Sequence, residues 1–98
     1  MAAIRIEWNK RKNTLNLRKH GISFDEAESV FADENALLLA DPEHSKEEDR
    51  FILMGLGRSL RVLLVFHCYR RSDDVIRIFS ARKASRAERD QYAQRWPR

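Results

Sequence analysis

Apolar and charged residues alternate at the start of the chain, from Ile4 to Trp8. A period of two is typical of a strand with one buried face, so this segment predicts the first strand. The basic segment that follows predicts a helix through His20, because Asn9 is a favoured N-cap residue and Gly21 stands where helices commonly end in a left-handed cap. The chain is therefore expected to open with a strand and a helix.

A second helix is predicted to begin at Ser23, which stands three residues before Glu26 in the spacing of a capping box. Apolar residues then recur at helical spacing and are expected to pack this helix onto a sheet: Phe24, Ala27, Val30 and Phe31. The acidic residues among them are expected to face water: Asp25, Glu26 and Glu28.

Four more strands and a closing helix are predicted after this point. The strands are the apolar runs 36–40, 50–57, 60–69 and 75–81, separated by a loop with Pro42 and by reversals at 57–59 and 73–74. Ser85 and Glu88 repeat the capping-box spacing at the start of the last helix, whose expected anchors are Ala87, Tyr92 and Trp96. The sequence therefore predicts one α+β domain over residues 1–98, with an antiparallel sheet and the order β-α-α-β-β-β-β-α.

Composition sets broad limits on this domain. Hydrophobic residues form 43% of the 98, charged residues form 35%, and the net charge is +4. This modest positive charge would attract a polyanion such as RNA or DNA, although many small domains carry as much for solubility alone. The single cysteine, Cys68, cannot form an internal disulfide, and no run approaches the roughly 20 apolar residues of a membrane span. A cytoplasmic protein without membrane contact is expected.

Candidate chemistry gathers around His67, which is expected to emerge with Tyr69 at the polar end of its strand. Arg70 and Arg71 follow it, and Arg77 lies on the next strand. A histidine can transfer protons near neutral pH, and arginines can hold a phosphate, which together suit RNA cleavage by the ribose 2'-hydroxyl without a metal. The alternative is a hydrogen-bonded core histidine.

Lys19 and His20 form a second candidate acid–base pair, or they complement the dipole at the end of their helix. Other chemistries lack their motifs, because the chain has no glycine-rich phosphate loop, no paired cysteines for zinc and no nucleophile-elbow serine. Its three histidines lie in different predicted elements. Neither a cofactor nor a metal is expected.

Four blocks of the sequence, in order, resemble the BrnT family. They are EWNKRKNTLNLRKHGISFDEA, DPEHSKEEDRF, VFHCYR and IRIFSARKASRAER followed by Tyr92. The resemblance implies a RelE-like toxin fold and RNA cleavage without a bound metal. It also implies a ribbon-helix-helix antitoxin called BrnA, with operator DNA bound chiefly through that antitoxin.

Site residues follow from the blocks and the chemistry together. The residues expected to be catalytic are His67, Lys19, His20, Arg70 and Arg77. Those expected to bind RNA are Arg50, Arg58, Arg61, Arg71 and Arg82. Those expected to be structural are Ser23, Glu26, Ser85 and Glu88.

Each assignment has a simpler alternative. Arg82 and Glu88 would equally tie the last strand to the closing helix, and Arg50 would equally pair with the acidic run at 47–49. For the whole chain, the alternatives are a nucleic-acid-binding module without catalysis and an interaction domain whose basic face receives an acidic partner.

Overall fold

Strands and helices follow one another in the predicted order. The computed structural model describes residues 4–41, 43, 50–70 and 74–95. Its elements are β1 (Arg5–Trp8), α1 (Lys10–His20), α2 (Phe24–Glu28), a 3₁₀ helix (Ser29–Ala32), β2 (Leu37–Ala40), β3 (Arg50–Leu56), β4 (Val62–Arg70), β5 (Val75–Lys83) and α3 (Arg86–Ala93). The α+β class is confirmed, and the 3₁₀ helix extends the predicted second helix.

The helix starts follow their predicted caps, with one difference at α2. The Asn9 side chain accepts the Lys12 N–H, and Ser85 and Glu88 form a complete capping box at α3. Ser23 accepts the Glu26 N–H, but the Glu26 carboxylate accepts hydrogen bonds from Arg61. Glu26 is buried as a result, so the prediction that it faces water is wrong.

The sheet is mixed, with the strand order β1-β5-β4-β3-β2. Three of its four pairings are antiparallel, whereas β1 pairs with β5 in parallel, from Arg5 opposite Val75 to Trp8 opposite Ile78. The prediction of a wholly antiparallel sheet is therefore wrong at this edge. The pairing brings together the first and last strands of the chain, and their local patterns carry no information on relative direction.

Cross-strand partners project to the same side of a sheet, so the register defines its two faces. The α2 face is covered by α2 and the 3₁₀ helix, and its main core comprises Ile22, Phe24, Ala27, Val30, Leu53, Leu63, Val65, Ile78 and Ala81. The α3 face is covered in part, where Ala84 and Tyr92 pack with Met54 and Leu64. Ala87 is exposed and so is not the predicted anchor, while Trp96 lies outside the described residues.

A bulge in β5 changes which residues reach each face. Phe66 pairs with Ser80 and His67 pairs with Ile78, so Phe79 is an extra residue without a partner on β4. A bulge shifts the alternation of all residues that follow it. Ala81 therefore lies in the core of the α2 face, and Arg82 lies on the α3 face beside Phe66.

Side chains satisfy the backbone where the outer strands stop. On one edge, the Asn16 amide binds the N–H and the carbonyl of Ala81. On the other, Asp33 accepts the Leu56 N–H and the Tyr92 hydroxyl. Burial raises the pKa of Asp33, but these hydrogen bonds outweigh burial and leave the pKa below its usual value. Among the described residues, no helix is long and apolar enough to cross a membrane.

Candidate functional site

His67 lies in the core of the α2 face, and its side chain has no exposed surface. Its ring packs edge-on against Phe31 of the 3₁₀ helix, with centroids 5.0 Å apart. Nδ1 lies 3.0 Å from the Val65 carbonyl, which can only accept, so Nδ1 carries the proton. Nε2 is buried without a hydrogen-bond partner in the described part of the chain.

Burial lowers the pKa of His67, and the hydrogen bond to Val65 opposes this only in part. The prediction that His67 emerges within reach of a ligand is therefore wrong, because the 3₁₀ helix covers that end of β4. The alternative, a hydrogen-bonded core histidine, agrees with the geometry.

Among the arginines that the structure describes, the predicted cluster of cations around His67 does not form. Arg77 pairs in register with Cys68 and Arg70 with Val75, so both arginines belong to the α3 face, across the sheet from His67. Arg71 lies outside the described residues. The structure brings Arg70 and Arg77 to one face, but it separates them from the histidine that they were expected to assist.

Arginines and aromatic rings share the uncovered part of the α3 face. The Arg50 guanidinium lies over the Phe79 ring, 4.3 Å from its centroid, and the Arg82 guanidinium lies 5.9 Å from the centroid of Phe66. The two rings are 6.5 Å apart. We call Arg50, Phe66, Phe79 and Arg82 the arginine–aromatic patch. Guanidinium groups on aromatic faces suit contact with phosphates and bases.

Two arginines of this face also carry ion pairs. Arg77 binds Glu7 of β1, and Arg82 binds both carboxylate oxygens of Glu88. The Arg82 hydrogen bonds, with help from the backbone N–H of Ser85, lower the pKa of Glu88 to about 2. The interpretation that Arg82 and Glu88 join the last strand to α3 is thus supported.

Arg58 and Arg61 lie elsewhere. Arg58 pairs with the exposed carboxylate of Asp25, and Arg61 pairs with the buried carboxylate of Glu26. Both partners belong to α2, so these arginines lie on the α2 side of the molecule. The structure does not bring them together with Arg70 and Arg77.

Lys19 and His20 line a surface pocket of about 220 Å³ between α1 and β5. The other lining residues are Lys12, Leu15, Asn16, Phe79 and Ser80. Phe79 belongs both to this pocket and to the arginine–aromatic patch, so the two adjoin. Sequence reasoning missed Phe79 because its role depends on the bulge, which the apolar pattern of β5 does not show.

Metal-binding side chains do not gather at this site. Within the described ranges, no three His, Cys, Asp or Glu side chains come close enough to hold a metal ion. The described side chains of the α1 pocket and of the neighbouring α3 face offer cationic groups, aromatic rings, the imidazole of His20 and the carboxylate of Glu7.

The fold and its cationic face define a small α+β domain suited to an anionic partner. A family model described as the ribonuclease toxin BrnT of type II toxin-antitoxin systems matches residues 8–88. The chain therefore belongs to the BrnT family of ribonuclease toxins.

A solved structure supports the fold. The ribonuclease toxin BrnT of Brucella abortus, determined at 1.1 Å, has a TM-score of 0.67 to this chain, with 22% sequence identity. The similarity covers 86% of this chain and 100% of that one. No curated protein matches the chain in sequence.

Proposed function

We propose that this chain is a metal-independent endoribonuclease whose site spans the α1 pocket and the adjoining arginines of the α3 face. The observation that carries this proposal is that Phe79 lies in both places. It lines the pocket with Lys19 and His20, which can transfer protons, and its ring lies under the guanidinium of Arg50, which can bind phosphate. Arg77 stands two residues away on β5, roughly 7 Å along the strand. A nucleotide spans such a separation.

The substrate supplies the nucleophile in this mechanism. The ribose 2'-hydroxyl attacks the neighbouring phosphorus, and the 5'-oxygen leaves, so the protein needs a base, an acid and a stabiliser of negative charge. His20 is the proposed proton-transfer group, because it is half-buried at the pocket and histidine exchanges protons near neutral pH. Lys19 is its partner, and Arg70 and Arg77 hold the scissile phosphate.

Membership of a toxin–antitoxin family implies an antitoxin partner, and we propose a ribbon-helix-helix protein of the BrnA type. Operator DNA would be bound through that antitoxin, and RNA cleavage in the cytoplasm would inhibit translation and growth. The cationic α3 face would then have to be blocked, directly or indirectly, when the antitoxin binds.

The test is cleavage of a free RNA of mixed sequence in EDTA by purified chain without antitoxin. We expect wild type to cut, His20→Ala to lose at least about 100-fold in rate, and His67→Leu to retain cutting if it folds. Circular dichroism of each variant checks the fold. Intact RNA with wild type contradicts autonomous cleavage, and full activity of a folded His20→Ala removes His20 from its role.

A nucleic-acid-binding module without catalysis is the second candidate. The burial of His67 favours it, because one of the predicted catalytic groups is withdrawn while the arginine–aromatic patch remains. This candidate predicts RNA binding that weakens steeply as salt rises, with no cleavage under any of the conditions above.

A further inference from the structure

The pocket between α1 and β5 combines apolar and basic side chains. Its apolar lining residues are Leu15 and Phe79, its basic ones are Lys12 and Lys19, and His20 lines it as well. Leu15 is half exposed on a helix that carries many basic residues. A half-exposed leucine and an aromatic ring that line the same pocket form an apolar contact site within a charged surface.

The two uncharged polar side chains of the pocket, Asn16 and Ser80, differ in their capacity to form hydrogen bonds with a ligand. Asn16 is fully used, because Nδ2 donates to the carbonyls of Ile22 and Ala81 while Oδ1 accepts the Ala81 N–H. The Ser80 hydroxyl donates to the same oxygen at 3.4 Å and keeps its lone pairs. Ser80 is therefore the uncharged side chain of this pocket that can bond the edge of a ligand.

The bulge in β5 produces this arrangement. It leaves Phe79 and Ser80 as consecutive residues that both line the pocket, whereas a regular strand would send them to opposite faces. Bulges commonly re-aim side chains beside functional sites. Here the result is a flat ring and a hydroxyl placed side by side.

We infer that this pocket is a nucleobase subsite, in which one base of a single-stranded RNA contacts Phe79 and Leu15 while Lys12 and Lys19 contact its phosphates. The inference rests on the proposed ribonuclease function and names how the substrate is held. Base–aromatic contact is tolerant of sequence, and lysines add the attraction to phosphate. The volume of about 220 Å³ is below the range of drug-sized ligand sites, which suits one base.

The test separates base contact from charge and from cleavage. Two fluorescein-labelled oligonucleotides of equal length are compared by anisotropy: a 2'-O-methyl RNA, whose blocked hydroxyl prevents self-cleavage, and its abasic counterpart. We expect wild type to prefer the oligonucleotide with bases, and Phe79→Leu to reduce that preference between about 5-fold and 100-fold, as loss of one stacked base does.

A matched pair of leucines on α1 controls for folding. Leu15 and Leu17 are equally exposed, at 50% and 51%, but only Leu15 lines the pocket. We expect Leu15→Ala to reduce the preference at least about 3-fold and Leu17→Ala to leave it unchanged. Alanine is a good helix former, so both variants should keep the fold.

Two outcomes overturn the subsite. One is equal binding of the two oligonucleotides by wild type, as expected if the pocket instead receives an acidic peptide. The other is an equal effect of the Leu15 and Leu17 variants. If the chain cleaves RNA but binds the two oligonucleotides equally, the subsite is refuted and the ribonuclease proposal stands. If it prefers the oligonucleotide with bases but does not cleave RNA, the subsite stands and the ribonuclease proposal is refuted.

Discussion

Asn16 binds both backbone polar groups of Ala81, donating from Nδ2 to the carbonyl at 2.8 Å and accepting the N–H at 3.1 Å through Oδ1. Nδ2 also donates a hydrogen bond to the Ile22 carbonyl. β1 ends at Trp8 beside Ile78, so the following part of β5 has no strand on that side. One side chain on α1 thus takes the place of a neighbouring strand.

Replacing Asn16 by alanine should lower the free energy of unfolding by about 2–4 kcal/mol, because it leaves buried backbone groups of Ala81 without partners. Urea unfolding measures the change. Thr14→Ala on the same helix is the control, since Thr14 is exposed and its hydroxyl donates to the Lys10 carbonyl of the preceding turn. A loss at Asn16 no larger than at Thr14 would refute this account.

Stability should fall in mild acid because of His67. Burial lowers the pKa of His67 in the folded protein below its usual value of 6.5, so the unfolded chain binds a proton more readily. This contribution is present above pH 6.5 and is lost as the pH falls below it. The measurement is the free energy of urea unfolding between pH 5 and pH 8.

The variant His67→Leu isolates that contribution, because leucine is apolar and does not titrate. It should flatten the slope of stability against pH just below pH 6.5, whatever its effect on stability at neutral pH. An unchanged slope in the variant would show that other groups cause the loss.

The Arg82–Glu88 pair should stabilise the protein in a more acidic range. The pKa of Glu88 is about 2 when folded, against a usual 4.5, so its contribution is present above pH 4.5 and lost as the pH falls towards 2. Glu88→Gln should cost about 1–2 kcal/mol at pH 7 after allowance for solvent screening. The difference between wild type and variant should shrink as the pH approaches 2.

The exposed pair of Arg58 and Asp25 gives the comparison for this prediction. Their side chains are 57% and 64% exposed, so Asp25→Asn should cost clearly less than Glu88→Gln. Equal costs for the two substitutions would mean that burial and bidentate geometry add nothing at Glu88.

Leu60 should be a site where a substitution stabilises the fold. It is 81% exposed in the turn between β3 and β4, and its φ of 62° lies in the left-handed region that bulky residues rarely adopt. Leu60→Gly should raise the free energy of unfolding by about 0.5–1 kcal/mol, net of the greater freedom of glycine in the unfolded chain.

Leu60→Ala separates backbone strain from the loss of the exposed side chain, because alanine keeps the left-handed strain. Thermal unfolding of both variants measures the effect. A gain that is equal in the two variants would show that the backbone conformation is not its source.

The sequence predicted most of the fold but less of the site. Caps such as Ser85 and alternation such as that of Ile4–Trp8 are local signals, and they placed the elements correctly. His67 lies on the same face of β4 as Leu63 and Val65, which is what the period of two along a strand gives. The sequence did not predict that His67 is inaccessible, because the Phe31 ring that packs against it comes from a distant segment.

Other features depended on contacts that no local pattern encodes. The surrounding basic residues of α1 suggest that Asn16 faces solvent. It is buried instead, because its amide group hydrogen-bonds the backbone at the edge of β5. The parallel pairing of β1 placed Glu7 beside Arg77 on the α3 face. Both depend on how distant segments meet.

The extra residue at Phe79 makes the length of β5 part of the design of the site. If β5 had no bulge and Phe79 paired with Phe66, every later position of the strand would be inverted: the small side chain of Ala81 would turn to the α3 face, and the guanidinium of Arg82 would enter the hydrocarbon interior. Deleting Phe79 would also restore an uninterrupted pleat, but it would keep Ser80 opposite Phe66 and Ala81 opposite Val65. A strand shorter by one codon would thus keep every later side chain on its present face and would lose the ring that the α1 pocket shares with the arginine–aromatic patch.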